Sequence, residues 1–306
     1  METEGIMTRP AYLDLGRAGL RERSEQAQEL LGKPCRVCPR GCKVNRAEDD
    51  HRGFCHAGAR AIVSSFGPHF GEEAPLVGSG GSGTIFFASC NLACVFCQNW
   101  QISQAREGEE ASPEQLARMM LWLQQRGCHN INLVSPTIYG PQILAALLHA
   151  IEGGLRLPLV YNTGGYDSLP MLRLLDGVVD VYMPDIKYSD DRMAARYSLV
   201  KGYYGAAKEA LKEMHRQVGD LVVEDGVAVR GLIIRHLVLP EGIAGTGEVM
   251  RFIAEELSLD SYVNVMAQYR PDHKAARYPA LTRRITGDEY REAVRTAQGY
   301  GLHRLA

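Results

Sequence analysis

Residues 84–97 read TIFFASCNLACVFC, an apolar run that leads directly into three cysteines. The run Thr84–Ser89 has the length and the β-branched and aromatic content of a buried strand. Cys90, Cys94 and Cys97 then follow on one short loop with the spacing C-x3-C-x2-C. Three thiolates on one loop can ligate three irons of a [4Fe-4S] cluster and leave the fourth iron open to another ligand.

Two other interpretations of these cysteines carry less weight. A structural zinc site takes four protein ligands, so a loop with three thiols leaves it one ligand short. A buried group of thiols without metal is rare when three of them share a loop. The spacing therefore favours an iron–sulfur cluster.

After residue 83, short apolar runs alternate with segments of helical periodicity, which is typical of repeated β-α units around a parallel sheet. Right-handed crossovers repeated in this way curl the sheet. We therefore predict an α/β fold, a partial (β/α)6 barrel of the TIM type, with the cysteine loop at the carboxyl end of its first strand. The predicted strands are Thr84–Ser89, Ile131–Val134, Pro158–Asn162, Val178–Met183, Leu232–Leu239 and Ser261–Met266.

Several helices carry their own start signals. Ser112 is an N-cap followed by a proline and a capping-box glutamine, Pro141 opens a second helix, and Thr286 caps the last one. The charged, weakly amphipathic residues 16–31 predict a surface helix. The segment Pro184–Gly231 is predicted to be an insertion over the barrel mouth, holding a helix and a hairpin.

Composition and charge limit the classes of protein to which this chain can belong. With 306 residues and 45% hydrophobic content the chain can bury one large core. A net charge of -2 shows no basic excess, so a nucleic-acid partner is not expected. The sequence has no signal peptide and no apolar run of membrane-spanning length, which predicts a cytoplasmic protein without a membrane partner. We predict an appendage over residues 1–77 and the barrel over residues 78–306.

A second cysteine group lies in the predicted appendage. Cys35, Cys38, Cys42 and Cys55 have the spacing C-x2-C-x3-C-x12-C and provide four potential thiolate ligands. Four-thiolate sites suit structural zinc or an auxiliary iron–sulfur cluster, and spacing does not separate the two. Grouped cysteines in a reducing compartment indicate metal rather than disulfides. We therefore predict a closed metal site here.

The run CNLACVFC at residues 90–97 resembles the CxxxCxΦC signature of the radical S-adenosylmethionine (SAM) superfamily, with Phe96 in the aromatic position. The resemblance implies that the open iron of the cluster chelates the amino and carboxylate groups of SAM. It also implies that one-electron reduction cleaves SAM to methionine and a 5′-deoxyadenosyl radical. In such enzymes the cofactors carry the difficult chemistry, and the protein positions and shields them.

Polar residues at the ends of the other predicted strands fit the same resemblance. Asn162 and Thr163 resemble the Thr-Asn-Gly segment of pyruvate formate-lyase activating enzymes, which lies beside SAM. Asp185 and Lys187 resemble their Asp-x-Lys segment, which implies that Lys187 pairs with the SAM carboxylate and Asp185 faces the ribose or the ammonium. Arg235 lies in a stretch that resembles their Arg-His-x-x-x-Pro run and is a candidate for the carboxylate or ribose.

Two further strand ends complete the candidate SAM site. The second predicted strand ends in Ser135-Pro136-Thr137, where radical SAM proteins usually have a GGE-like motif for the SAM amino group. The departure leaves that role to backbone carbonyls or to the Ser135 and Thr137 hydroxyls. Gln268 follows the sixth strand, where the resemblance places adenine.

The resemblance is closest to activating-enzyme-like proteins of unassigned substrate. It implies hydrogen abstraction by a SAM-derived radical, on a protein or peptide, with an electron donor such as flavodoxin or ferredoxin. Modification of a small molecule or RNA is the alternative within the superfamily. A non-catalytic iron–sulfur or zinc protein is the alternative from another class, and the open iron position argues against it.

Overall fold

The computed structural model describes residues 9–306 of the chain. The strands of this part form one sheet in the order β3-β1-β2-β4-β5-β6-β8-β7, with β9 paired to β8. They are β1 Ala61–His69, β2 Ser82–Phe87, β3 Glu109–Ala111, β4 Ile131–Val134, β5 Leu159–Thr163, β6 Val181–Pro184, β7 Val222–Glu224, β8 Val227–Leu237 and β9 Tyr262–Met266.

The strands β2, β4, β5, β6, β8 and β9 are parallel neighbours in chain order. Each corresponds to one of the six strands predicted from the sequence, and the boundaries differ by a few residues. Helices connect these strands, so the β-α units wind round a partial barrel. The predicted fold class is confirmed.

Three antiparallel strands at the sheet edges lie outside the predicted set. The strand β1 pairs with β2 on one side and with the short β3 on the other. Its sequence AIVSSFGPH lacks regular alternation and contains glycine and proline, which weaken a strand signal. Because β1 precedes residue 78 and pairs with β2, the sheet runs across the predicted domain boundary, and the division into two domains stays a prediction.

The helices lie mainly on the outer face of the sheet, and no helix among residues 9–306 is long and apolar enough to cross a membrane. They are α1 Tyr12–Glu29, α2 Ala74–Val77, α3 Trp100–Ser103, α4 Pro113–Gln125, α5 Gly140–Glu152, α6 Leu169–Leu174, α7 Asp191–Ser198, α8 Tyr203–Val218, α9 Thr246–Phe252 with a π-helical extension Ile253–Leu257, and α10 Gly287–Gly299. Short 3₁₀ turns cover Arg46–Glu48, Pro240–Gly242, Ala275–Arg277 and Pro279–Leu281.

The predicted helix starts are confirmed. Ser112 and Thr286 each form a capping box, in which the hydroxyl accepts from the backbone of the third helical residue and that residue's side chain accepts in return. The predicted surface helix corresponds to α1, whose helical geometry is interrupted at Gly16. Its Leu20 and Ala27 are buried in the main core, so one face of this helix packs inward.

Only part of the segment predicted as an insertion lies over the barrel mouth. The helix α8 packs against β6, β8 and α6, as an ordinary crossover helix of the barrel does. The hairpin turn at Asp225 and Gly226 is present and joins β7 to β8. Of this segment, α7 and the first residue of α8 lie at the mouth. The carbonyls of Tyr197 and Ser198 accept from the cysteine loop, and the Tyr203 hydroxyl donates to the Gly164 carbonyl.

The two faces of the sheet bury different residues, because side chains alternate along a strand. Leu159, Tyr161 and Tyr182 point outward into the main core beneath the helices. The lower barrel interior is apolar. Besides strand residues it contains Leu76 of α2, and its members are Leu76, Val160, Val181, Met183, Leu221, Ala228 and Ile233. One or two pleats further along the same strands, the interior residues become Asn162, Asp185 and Arg235.

Candidate active site

The cysteine loop begins where β2 ends, and Ser89 turns the chain with a φ of +71°. Backbone bonds hold the loop from two sides. Ala93 and Val95 donate to the carbonyls of Ser198 and Tyr197 at 3.1 and 2.8 Å, and Lys274 donates to the carbonyl of Val95 at 2.8 Å. The loop conformation therefore depends on α7 and on the segment after β9.

The three thiols of the loop each have a polar neighbour. Leu92 donates its backbone N–H to Cys90 Sγ at 3.3 Å, and the Ser198 hydroxyl donates to Cys94 Sγ at 2.9 Å. Cys97 Sγ lies 3.2 Å from Ser103 Oγ. Burial raises the pKa of Cys90 to about 12 and also raises the pKa of Cys94. Thiolates at this position therefore need a positive partner such as iron.

One cavity of about 390 Å³ lies beside the loop, a volume suited to a ligand of nucleoside size. All three cysteines line it. Of the residues predicted to contact SAM, it is also lined by Phe96, Ser135, Asn162, Thr163, Asp185, Lys187, Arg235 and Gln268. The fold thus brings residues from six strand ends to one space, and their roles toward SAM stay predictions.

Thr137 is placed differently from the other predicted residues. It is not among the described residues that line the cavity. Its hydroxyl lies 2.8 Å from Thr163 Oγ1, and Thr163 in turn donates to Asp167 Oδ2 at 2.6 Å. The geometry gives Thr137 a supporting place behind Thr163, because its hydroxyl points into this buried network.

A network of charges forms one wall of the cavity. Asp185 pairs with Lys187 on its own loop, and its Oδ1 accepts from Arg235 Nε at 2.8 Å. Arg235 Nη2 also donates to Asn162 Oδ1 at 2.8 Å. Burial raises the pKa of Asp185, but Arg235 and Lys187 outweigh burial and hold that pKa below its usual value. Asp185 is therefore a carboxylate at neutral pH.

Two residues outside the predicted set position this network. The Tyr203 hydroxyl accepts from the Lys187 backbone N–H at 2.9 Å and donates to the Gly164 carbonyl at 2.9 Å. His236 Nδ1 lies 2.8 Å from the Ile186 carbonyl, and its Nε2 lies 2.9 Å from Thr246 Oγ1. His236 stands beside Arg235 in the recognised sequence run, whereas nothing local marks Tyr203.

Two further unpredicted residues, His69 and Glu72, also line the cavity. They come from the end of β1 and the loop after it, ahead of the first predicted strand. No periodic pattern surrounds them in the sequence, so only the closing of the barrel reveals where they lie.

The four N-terminal cysteines surround a second, small and enclosed cavity. Burial is the main reason that the pKa of Cys38 is raised to about 12; a backbone bond opposes this rise, and the neighbouring thiols of Cys55, Cys35 and Cys42 add to it. Across residues 9–306 no three His, Cys, Asp or Glu side chains converge as a single metal ion requires. Metal binding by these four thiols stays a prediction.

Comparison with known proteins shows which family the barrel resembles. A family model described as the radical SAM superfamily matches residues 84–229. An uncharacterized protein of Methanocaldococcus jannaschii, MJ0674, is 35% identical over 280 residues, covering 88% of this chain and 76% of that protein. A second one, MJ0808, is 24% identical over 267 residues, covering 80% and 73%. The structure of TYW1 with a lysine-pyruvate adduct bound covers 71% of this chain and 73% of its own, with 11% identity and a TM-score of 0.40.

The chain belongs to the radical SAM superfamily. It is accordingly an enzyme, and the superfamily's [4Fe-4S] cluster and SAM are its cofactors. The residues present fit both groups. Three buried or partly buried thiols, each with a polar neighbour, suit the cluster, and the adjoining cavity has the mixed polar and apolar lining that a zwitterionic nucleoside needs.

Proposed function

We propose that this enzyme cleaves SAM reductively at the Cys90, Cys94 and Cys97 cluster and abstracts a hydrogen atom from a protein or peptide substrate. Cys90, Cys94 and Cys97 would hold the cluster, and the adjoining cavity would hold SAM. Together the reduced cluster and SAM would supply methionine and a 5′-deoxyadenosyl radical able to take a hydrogen atom from the substrate. The observation that carries the proposal is that the three thiols and the polar strand ends share one cavity.

The contacts to SAM are part of the same proposal. Lys187 and Arg235 are the two cations of the cavity wall, and both already pair with Asp185. A ligand carboxylate that reaches this wall gains charge-assisted hydrogen bonds to either cation. We therefore assign the SAM carboxylate to Lys187 and Arg235, the ribose or ammonium to Asp185, and the adenine side to Phe96 and Gln268.

The proposal of a protein or peptide substrate is based on the sequence segments that resemble those of activating enzymes. The structure offers one observation that favours the alternative, a small molecule. Within residues 9–306, the segment containing Leu76 packs into the lower barrel interior, which leaves the mouth as the entrance to the cavity for a substrate. A peptide would have to enter as a narrow loop, whereas a small molecule faces no such restriction.

The N-terminal cysteines form a second metal site in this proposal. Cys35, Cys38, Cys42 and Cys55 line one enclosed cavity, and four thiolates close the coordination of either zinc or an auxiliary iron–sulfur cluster. Thiolate ligation and an oxygen-sensitive cluster both require a reducing environment, which agrees with a cytoplasmic location.

An external protein supplies the electron. The segments that hold the cysteine loop carry the exposed cations Arg196, Lys201, Lys274 and Arg277, and exposed Leu199 lies among them. Tyr197 and Tyr278 contact each other at 5.4 Å between ring centroids, so both segments share one surface. Small acidic redox proteins such as flavodoxin or ferredoxin complement this charge.

The test of the proposed function is anaerobic reconstitution followed by an assay of 5′-deoxyadenosine release from SAM. The native protein should show a reduced-cluster EPR signal that SAM perturbs. Replacing Cys90, Cys94 and Cys97 with Ala should abolish that signal and the release. Cys128→Ala, which changes a buried thiol outside both groups, is the matched control and should retain them. A SAM-responsive signal that persists in the triple variant would overturn the assignment.

A further inference from the structure

The segment between β1 and β2 enters the barrel from below. Leu76 in α2 is fully buried and packs with interior residues of the neighbouring strands, including Val160 and Ile233. Glu72 and Glu73 directly precede this helix and therefore also reach the barrel interior. Glu72 lines the cavity beside the cysteine loop.

The two carboxylates have different surroundings. Glu73 Oε1 accepts from Asn264 Nδ2 at 3.1 Å and lies 3.7 Å from Arg235 Nη1. Glu72 has only 9% of its side chain exposed, and His69 Nδ1 lies 3.4 Å from Glu72 Oε1. Burial is the largest influence on the Glu72 carboxyl and raises its pKa, and the charge of Glu73 acts in the same direction. Arg235, His69 and the nearby Asn132 side chain oppose the rise without cancelling it.

The charges in and behind the cavity wall do not balance. The carboxylates are Asp185, Glu72 and Glu73, and the permanent cations are Lys187 and Arg235, so three negative charges face two positive ones. Both cations contact Asp185, and Arg235 also reaches Glu73. Among residues 9–306, Glu72 forms an ion pair with neither permanent cation, so the remaining negative charge lies on Glu72.

Unused hydrogen-bonding capacity lies at the same place. Within residues 9–306, the buried atoms His69 Nδ1 and Glu73 Oε2 have no hydrogen-bond partner. An uncompensated carboxylate almost removed from water is costly, and so is a buried polar atom without a partner. A ligand with positive charge and N–H donors would satisfy both requirements.

We propose that Glu72, with His69 beside it, binds an organic cation that enters the cavity: an ammonium or a guanidinium group. The inference rests on the proposed function, since the cation belongs either to SAM or to the substrate. A divalent metal ion suits the place less well. Hard ions of this kind collect six or more oxygen ligands, and one carboxylate and one imidazole do not supply them.

The experiment compares reconstituted native protein with Glu72→Gln by anaerobic titration calorimetry and EPR. Glu25→Gln, on the exposed side of α1, is the matched control. The first arm measures the SAM dissociation constant. The second arm adds methylguanidinium or its neutral counterpart methylurea to the SAM-bound protein and follows the cluster signal. Iron content and the melting temperature of each variant show that it has folded.

Two results support the inference and separate the sources of the cation. A rise of about ten- to a hundredfold in the SAM dissociation constant for Glu72→Gln assigns the cation to SAM. An unchanged constant, with a signal shifted by methylguanidinium in native protein alone and not by methylurea, assigns it to the substrate. Equal behaviour of both proteins in both arms overturns the inference. Native protein that fails to bind SAM would instead overturn the proposed function.

Discussion

Arg40 in the N-terminal cysteine group donates from its Nε to the backbone carbonyl of Asn91 in the barrel loop, 2.6 Å away. Its Nη2 donates to the Leu199 carbonyl at 2.7 Å, and its guanidinium stacks on Phe54 at 3.3 Å. The charge of Arg40 also interacts with Cys38, Cys42 and Cys90. A single side chain therefore links the two cysteine groups.

Arg40→Ala should lower the free energy of unfolding, because it removes two charged hydrogen bonds across this junction. We expect a loss of about 1–3 kcal/mol, measured by anaerobic thermal or urea unfolding. Arg36→Ala changes an exposed arginine of the same segment and is the control. Equal stability of the two variants would show that the link contributes little.

The N-terminal site should hold metal independently of the barrel cluster. Protein in which Cys90, Cys94 and Cys97 are all alanine should still contain zinc or residual iron by elemental analysis. Adding Cys35→Ser and Cys38→Ser should remove that metal and reduce solubility, because binding of metal and folding are coupled at such sites. A triple variant that contains neither metal and stays fully soluble would contradict the proposal.

Lys187→Ala should weaken SAM binding without loss of iron. The change removes one charge-assisted contact, worth about 1.5–3 kcal/mol, which raises the dissociation constant roughly ten- to a hundredfold. Asp185 keeps its bond to Arg235, so the wall retains a compensated carboxylate. Calorimetry on anaerobic protein measures the constant, and Lys208→Ala, in a surface pair with Glu256, is the control. An unchanged constant would return Lys187 to a structural role.

Stability should fall at mildly acidic pH because of His236. Burial lowers its pKa from 6.5 to about 4, so between these values the unfolded chain binds more protons than the folded one. Stability therefore rises with pH across this window and is lost as the pH falls. The loss should be roughly 2 kcal/mol between pH 7 and pH 5. Urea unfolding of native protein and His236→Asn tests this, and identical pH slopes would refute it.

Reversing charge beside the cysteine loop should slow reduction by a protein donor. Lys274→Glu combined with Arg277→Glu should reduce the rate of cluster reduction by flavodoxin or ferredoxin at least about tenfold at low salt. Reduction by dithionite should not change, since it needs no docking surface. Arg118→Glu in α4 combined with Arg126→Glu at the C-terminal end of that helix is the matched control, since both arginines are exposed. Equal rates for both double variants would exclude this surface.

Local patterns in the sequence were enough to predict the barrel strands, the cysteine loop and most polar strand ends. A strand signal and a C-x3-C-x2-C spacing are properties of neighbouring residues. In a parallel barrel, every strand's carboxyl end lies on one rim, so Asn162, Asp185 and Arg235 could be grouped without coordinates. The superfamily resemblance rested on the same short runs.

Contacts between distant segments could not be obtained in that way. The edge strand β1 is defined by its pairing with β2 rather than by its own alternation. Arg40 and Asn91 are 51 positions apart, and Tyr203 reaches Gly164 across 39 positions. Glu72 faces the cavity because Leu76 draws its segment into the apolar lower barrel. Sequence periodicity reports which face of an element is buried, whereas the partner across the core is decided by packing, and only the tertiary structure contains that information.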